Sequence, residues 1–319
     1  MSEGFVDRLQ VGRRFSRVAA SYDRADFFAR EVDRRMQERL DYVKVEPKRV
    51  LDLGCSRGGS FAGLSARYPA AELLGLDISP AMLRVGRADR PGWQRWLSLG
   101  RQNQPRRLAG DAANLPLKSQ STAVVWSNLL LHWLDDPLPA LAEAHRVLEI
   151  GGLLMFSTLG PDSLKELRAA FSDGYAHTQR FIDMHDLGDM LVACGFADPV
   201  MDMEVLTLTY DDFDDMLGEL RAAGSGCAMK ARRHGLTGRQ AWIKARGAYE
   251  SMRTEGKLPA TFEVVYGHAW KVAPKQSADG RAIIRFDAAQ RVLLGDAPKE
   301  TPLGGAAQRV PLGDAPRRK

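Results

Sequence analysis

The run Val50-Leu51-Asp52-Leu53-Gly54-Cys55-Ser56-Arg57-Gly58-Gly59 constrains the fold more than any other stretch of the chain. An apolar segment of this kind suits a strand buried on both faces, as in a parallel sheet. Here it ends in an acidic residue and opens at once into a glycine-rich turn. Glycine is needed where a ligand comes close to the backbone, because a Cβ would block the approach. A helix is expected from about Gly58 to Tyr68, with its free N–H groups toward the bound group. By itself the pattern equally describes a dinucleotide-binding unit, or a tight turn that binds nothing.

The spacing of later segments narrows the choice. A second apolar run, Leu73-Leu74-Gly75-Leu76, ends in Asp77. A carboxylate at the tip of a second strand can accept hydrogen bonds from both hydroxyls of a ribose. Ile78-Ser79-Pro80 then starts a helix, with Ser79 as N-cap and Pro80 at the first helical position. Ala109-Gly110-Asp111-Ala112 marks a third strand end, and a fourth run, Thr122 to Trp126, leads into Ser127-Asn128-Leu129. A helix over about Pro137 to Leu148 is expected to close at Gly151-Gly152, before a fifth strand from Leu153 to Thr158. In a doubly wound sheet, the tips carrying Asp52, Asp77 and Asp111 face one crevice.

Taken together, Asp52-Leu53-Gly54-Cys55-x-x-Gly58, Asp77, Gly110-Asp111-Ala112 and Arg146-Val147-Leu148-x-x-Gly151-Gly152 resemble class I S-adenosylmethionine-dependent methyltransferases. The resemblance covers roughly residues 45 to 160. It implies an α/β fold, a seven-stranded Rossmann-like sheet with helical lid insertions, and S-adenosyl-L-methionine as cofactor. It also implies cofactor contacts at Asp52, Gly54, Ser56, Gly58, Asp77, Ile78, Asp111, Ala112, Ser127 and Asn128. Ser56 is a departure, since these loops usually carry their middle glycine there. Serine can stand in provided the backbone does not need a positive φ.

Composition bounds the setting. The chain has 319 residues, enough for one large domain or one domain plus a cap. Three cysteines (Cys55, Cys194, Cys227), odd in number and far apart, argue against a disulfide framework and for a reducing compartment. The histidines do not join them at zinc-ligand spacing, so no metal is expected. Residues 1–14 lack the apolar core of a signal peptide, and no run reaches the length of a membrane span. A cytoplasmic protein is expected. Of the net charge of +5, the segment from Arg291 to Lys319 supplies +3, with six Lys/Arg against three Asp/Glu. That tail is rich in Gly, Ala and Pro, and it is expected to be disordered.

The outer segments extend the pattern. Asp26 to Val43 reads as an amphipathic helix with Phe27, Val32, Met36 and Leu40 in register. Further helices are expected over Leu164 to Phe171 and Met184 to Cys194. Strands follow at Val200 to Tyr210 and Phe262 to Val272, separated by a mostly helical insert from Asp211 to about Glu255. The division expected is a lid segment at 1–44, a core at 45–160, lid helices with the last two strands at 161–290, and the tail at 291–319. Phe15-x-x-Ala-Ala-x-Tyr22, Trp126-Ser127-Asn128-Leu129, Phe156-Ser157-Thr158-Leu159, Arg180-Phe181 and Leu258-Pro259-Ala260-Thr261-Phe262 resemble the malonyl-acyl-carrier-protein O-methyltransferases of biotin synthesis. Gly195-Phe196 and Leu258 to Lys271 look equally like a mitochondrial group that hydroxylates an arginine on a respiratory complex I subunit. A non-catalytic binder of S-adenosylmethionine on the same fold is the third alternative.

Carboxyl methylation needs no special base. A malonyl carboxylate, with a pKa near that of Asp or Glu at about 4, is already ionised at pH 7. The protein must align it with the methyl donor and exclude water. For that positioning the candidates are Tyr22, Arg180, His132 and Trp133. Each has a plain alternative: a core tyrosine, a surface arginine over Phe181, and a buried Trp133 with His132 as its neighbour. Arg146 is a weaker candidate, set against a role bracing its helix. The carrier-protein partner implied by the resemblance is acidic, so a basic docking face is expected. Lys230, Arg232, Arg233, Arg239, Lys244 and Arg246 are the candidates, against ordinary surface solvation. No aromatic platform alternates with them, so nucleic acid is not expected. Neither is a membrane, and a monomer is expected.

Overall fold

In the computed structural model, which describes residues 5–88 and 104–273, seven strands form one sheet in the order β3-β2-β1-β4-β5-β7-β6. The strands are β1 (Arg49–Leu53), β2 (Glu72–Asp77), β3 (Arg106–Ala109), β4 (Thr122–Ser127), β5 (Leu148–Leu159), β6 (Ala197–Tyr210) and β7 (Leu258–Trp270). β1 through β5 run parallel, and β7 is inserted antiparallel between β5 and β6. The expected sheet is therefore present. Strand order reverses between β1 and β4, which opens a crevice at their C-terminal ends.

The helices are α1 (Arg8–Val18), α2 (Phe27–Arg39), α3 (Phe61–Arg67), α4 (Pro80–Ala88), α5 (Leu138–Val147), α6 (Lys165–Ala170), α7 (Met184–Ala193), α8 (Phe213–Ala222) and α9 (Arg239–Glu250). Two buried clusters cover the two sheet faces. Val50, Val124 and Met155 face α2, where Val32 and Met36 form the buried stripe, continued by Leu40 in the turn after it. Their chain neighbours Leu51, Val125 and Leu154 face α5 and α7, against Leu141, Ala144, Leu187 and Leu191. This period of two on strands buried from both sides explains their nearly unbroken apolar sequence.

Several boundaries differ from the sequence expectation. α3 begins at Phe61 and not near Gly58, because residues 55–60 form turns that carry the glycine loop. α2 stops at Arg39 and tightens into a 3₁₀ turn, Leu40–Tyr42. β5 starts at Leu148, so Gly151-Gly152 lies within the strand, where its pairing with β4 shifts register. Gly151 has φ +80°, a backbone state glycine adopts freely. The insert between β6 and β7 is helical only at its ends; residues 223–238 cross as an irregular segment.

That segment fastens the N-terminus. Val6 bridges to Met229, the Asp7 amide donates to Ala228 O at 2.8 Å, and the Lys230 amide donates to Phe5 O at 2.8 Å. Asp7 also caps α1, accepting from the Gln10 amide at 3.0 Å. Among the described residues, no helix is long and apolar enough to cross a membrane. The expected disordered tail at 291–319 lies outside the described residues.

Candidate active site

The strand tips are tied to one another before any ligand is considered. The amides of Gly54 and Cys55 both donate to Leu76 O, at 2.8 and 3.0 Å. Asp77 Oδ2 accepts from the Ser56 amide at 2.8 Å, and Asp77 Oδ1 from the Ser79 amide at 2.7 Å. Ser79 Oγ in turn accepts from the Met82 amide at 3.4 Å, the N-cap expected for α4. Burial pushes the Asp77 carboxyl above its ordinary range, and these two amides oppose the shift.

Gly54 has φ +80°, and a Cβ there would stand 3.1 Å from Leu130. Gly58 has φ +90° and sits against the Phe61 ring, where a Cβ would come within 2.4 Å. Gly58 is therefore a packing glycine at the foot of the loop; it does not line the cavity. Ser56 has φ +51°, so the condition under which serine replaces glycine without strain is not met. Its amide bond to Asp77 holds it in the left-handed region.

The cavity, about 220 Å³, joins the glycine loop to the outer helices. Asp52, Gly54, Ser56, Asp77, Ile78, Asp111, Ala112 and Asn128 all line it. Asp52 is 2 % exposed, and among the described residues its Oδ2 has no hydrogen-bond partner. Burial raises this carboxyl well above its ordinary value, and the charges of Asp33 and Asp77 push the same way. An orphaned buried acceptor in an acidic crevice fits a ligand that brings a positively charged donor. S-adenosylmethionine carries such a group in its ammonium, so the residues present fit the implied methyl donor. Asp111 accepts from the Ala113 amide at 3.0 Å and is ion-paired with Arg8 of α1.

Ser127, expected to contact the cofactor, does not line the cavity. Its Oγ donates to Leu53 O at 3.1 Å and ties β4 to β1. Asn128 spans two elements: Nδ2 donates to Ala29 O of α2 at 2.8 Å, and Oδ1 accepts from Ser157 Oγ at 2.7 Å.

Of the four positioning candidates, three line the cavity. Tyr22 lies in a 3₁₀ turn before α2, with its hydroxyl pushed up to about 12 by burial and by Asp26. His132 is buried, with Nδ1 3.3 Å from Thr158 Oγ1, and burial depresses it to about 3. It is thus a neutral wall of the cavity at pH 7 and not a proton donor. Trp133 packs edge-on against Phe15 of α1, with ring centroids 5.1 Å apart. Arg180 does not reach the cavity. It is exposed and lies over the Phe5 ring at 4.9 Å, because the N-terminal segment docked on 228–230 offers that ring. Arg146 braces its helix, binding Glu143 and the carbonyls of Leu115 and Leu117.

Several cavity residues are not marked by the sequence pattern, among them the buried polar Asp33 and Gln179. Asp33 of α2 is 7 % exposed and accepts from Ser60 Oγ at 2.6 Å, Trp126 Nε1 at 3.0 Å and Gln37 Nε2 at 2.5 Å. The available signal was a carboxylate beside Val32 on the apolar stripe. Gln179 lies in an irregular segment with no local pattern to mark it.

Comparison with known proteins agrees with this geometry. Residues 51–156 match the methyltransferase domain family. A malonyl-acyl-carrier-protein O-methyltransferase from Gallionella capsiferriformans is 48% identical over 89% of this chain and 98% of that relative. One of the same name from Nitrosospira multiformis is 49% identical over 86% of this chain and 92% of its own length. In fold alone, the YcgJ protein of Bacillus subtilis matches with a TM-score of 0.54 at 15% identity, covering 76% of this chain and 99% of that one. With its acidic crevice, its strand order and these full-length relatives, the chain belongs to the malonyl-acyl-carrier-protein O-methyltransferase family.

Proposed function

We propose that this protein methylates the free carboxyl of malonyl-acyl carrier protein, using S-adenosylmethionine, as an early step of biotin synthesis. The observation that carries the reading is one cavity with two kinds of wall. Its floor is acidic and carries the unpartnered Asp52 oxygen, while its outer wall is aromatic, from Phe15, Tyr22, Trp133 and Phe181. When bound, S-adenosylmethionine supplies an activated methyl group on a sulfonium. Asp52 and Asp77 orient the donor through its ammonium and ribose. The aromatic wall and α1 exclude water and hold the acceptor chain. His132 stays neutral and moves no proton, which suits an acceptor that is already a carboxylate. Alignment in a dry site can supply several kcal/mol of the barrier.

Purified protein, labelled S-adenosylmethionine and malonyl-carrier protein should give a methyl ester; absence of that product would overturn the reading. The gene should also rescue a biotin-requiring strain lacking this step. These relatives are methyltransferases by name, and they support neither the arginine-hydroxylase reading nor a binder without turnover.

For carrier docking, the basic cluster divides. Arg232 pairs with Asp7 at 3.0 Å, Arg233 with Asp173 at 3.5 Å, and Arg246 with Asp214. Among the described residues, Lys230, Arg239 and Lys244 form no ion pair, and all three are exposed. Leu236, 96% exposed, and Ile243, 51% exposed, stand in the same insert. Three unpaired cations near exposed apolar side chains suit an acidic partner with an apolar contact. One chain supplies both walls of the cavity, which supports reading the working unit as a monomer.

A further inference from the structure

Gln179 is 7 % exposed and lines the cavity. Its Nε2 donates to Gly226 O at 3.1 Å, which fixes the orientation of the amide, since only the nitrogen can donate to a carbonyl. The carboxamide oxygen is left over. Among the described residues, Gln179 Oε1 is buried without a hydrogen-bond partner. A buried acceptor left unpaired is costly, so a site built this way is completed by a donor.

The surrounding segment is tied down by its own hydrogen bonds. Thr178 Oγ1 donates to Gln179 O at 3.2 Å, and Cys227 Sγ donates to Thr178 O at 3.2 Å. Arg14 Nη2 donates to Cys227 O at 2.8 Å, so α1 locks the same strip. Phe15, Trp133 and Phe181 line the same cavity as Gln179.

The geometry points to Gln179 as a specificity-determining residue for the acceptor, its Oε1 accepting the amide N–H of the pantetheine arm that carries the malonyl thioester. This assignment rests on the malonyl-thioester function proposed above. A malonyl group offers no N–H of its own; the nearest one in a carrier thioester lies two carbons from the sulfur. A site that hydrogen-bonds this group would select carrier-linked malonate over free malonate and over simple malonyl thioesters. The methyl-transfer step itself is unchanged: the carboxylate oxygen forms the new C–O bond and the donor sulfur keeps the electron pair of the broken S–C bond.

The test compares malonyl-pantetheine with an analogue in which an ester oxygen replaces the N–H nearest the sulfur. The wild-type protein should prefer the amide about 5- to 10-fold in kcat/KM, the worth of one hydrogen bond. Gln179→Leu should bring that ratio close to one, while the Kd for S-adenosylhomocysteine stays unchanged and so reports an intact fold. A wild-type ratio near one, a ratio retained in Gln179→Leu, or a Kd that shifts with the substitution would each overturn the assignment. Equal turnover of both thioesters by the wild type removes only the role of Gln179. No methyl transfer to either thioester, or to malonyl-carrier protein, removes the function as well.

Discussion

Asp77 holds Ser56 by its backbone amide, carboxylate oxygen to nitrogen 2.8 Å, and so ties the tip of β2 to the glycine loop leaving β1. The other carboxylate oxygen holds Ser79 at the head of α4. A single side chain thus sets two of the loops that line the donor crevice. Each oxygen keeps a second lone pair, so the same carboxylate can still accept from a ribose hydroxyl.

Asp77→Ala should therefore act twice. It leaves two part-buried amides without their acceptor, a stability loss of about 1–3 kcal/mol in denaturant titration. Donor binding, followed by calorimetry with S-adenosylhomocysteine, should weaken by about 1–3 kcal/mol. Unchanged affinity in a folded variant would refute the ribose assignment.

Ser56 occupies a left-handed conformation that costs a side-chain-bearing residue about 1–2 kcal/mol. Ser56→Gly should raise stability by about 0.5–1 kcal/mol, part of the relief being lost to the freer unfolded chain. Ser56→Val should lower it by about 1–3 kcal/mol, since a β-branched residue tolerates this region poorly. Equal midpoints for the two variants would show that the loop relaxes out of this conformation.

His132 makes stability depend on pH in one direction. Its folded value, about 3, lies below the ordinary 6.5, so the unfolded chain binds the proton more readily. The contribution is fully present above about pH 6.5 and is lost progressively as pH falls toward 3. At pH 5 the loss is about 2 kcal/mol. His132→Leu should flatten the curve between pH 7 and 5, whereas an unchanged slope would place the protonation elsewhere.

Charge reversal on the insert tests docking apart from chemistry. The double variant Lys230→Glu, Lys244→Glu should raise KM for malonyl-carrier protein about tenfold at low salt, with the effect shrinking as ionic strength rises. Turnover of malonyl-pantetheine, which has no protein surface to steer, should be unchanged. A loss on both substrates would mean that the substitutions disturb the cavity.

The sequence by itself determined the sheet and the donor crevice. Apolar runs ending at Asp52 and Asp77 encode strands buried on both faces, and a parallel sheet then gathers their C-terminal ends in one place with that of the more exposed β3, before Gly110-Asp111. That gathering is a property of the strand pattern, so Gly54, Asp77, Ile78 and Ala112 were legible without coordinates. Ser127 does not line the crevice; its Oγ bonds Leu53 O and ties β4 to β1. Only the tertiary structure decided the lid. Arg180 and Gln179 are neighbours in an irregular segment, where no period assigns a face. Their directions come from distant chain: Phe5 draws Arg180 outward, while Gly226, 47 residues away, fixes Gln179 along the cavity. Even Ser56, whose type is local, took its strained φ from a carboxylate 21 residues on. Local periodicity specifies backbone and burial, whereas a side chain's partner across the fold depends on contacts that no short window of sequence contains.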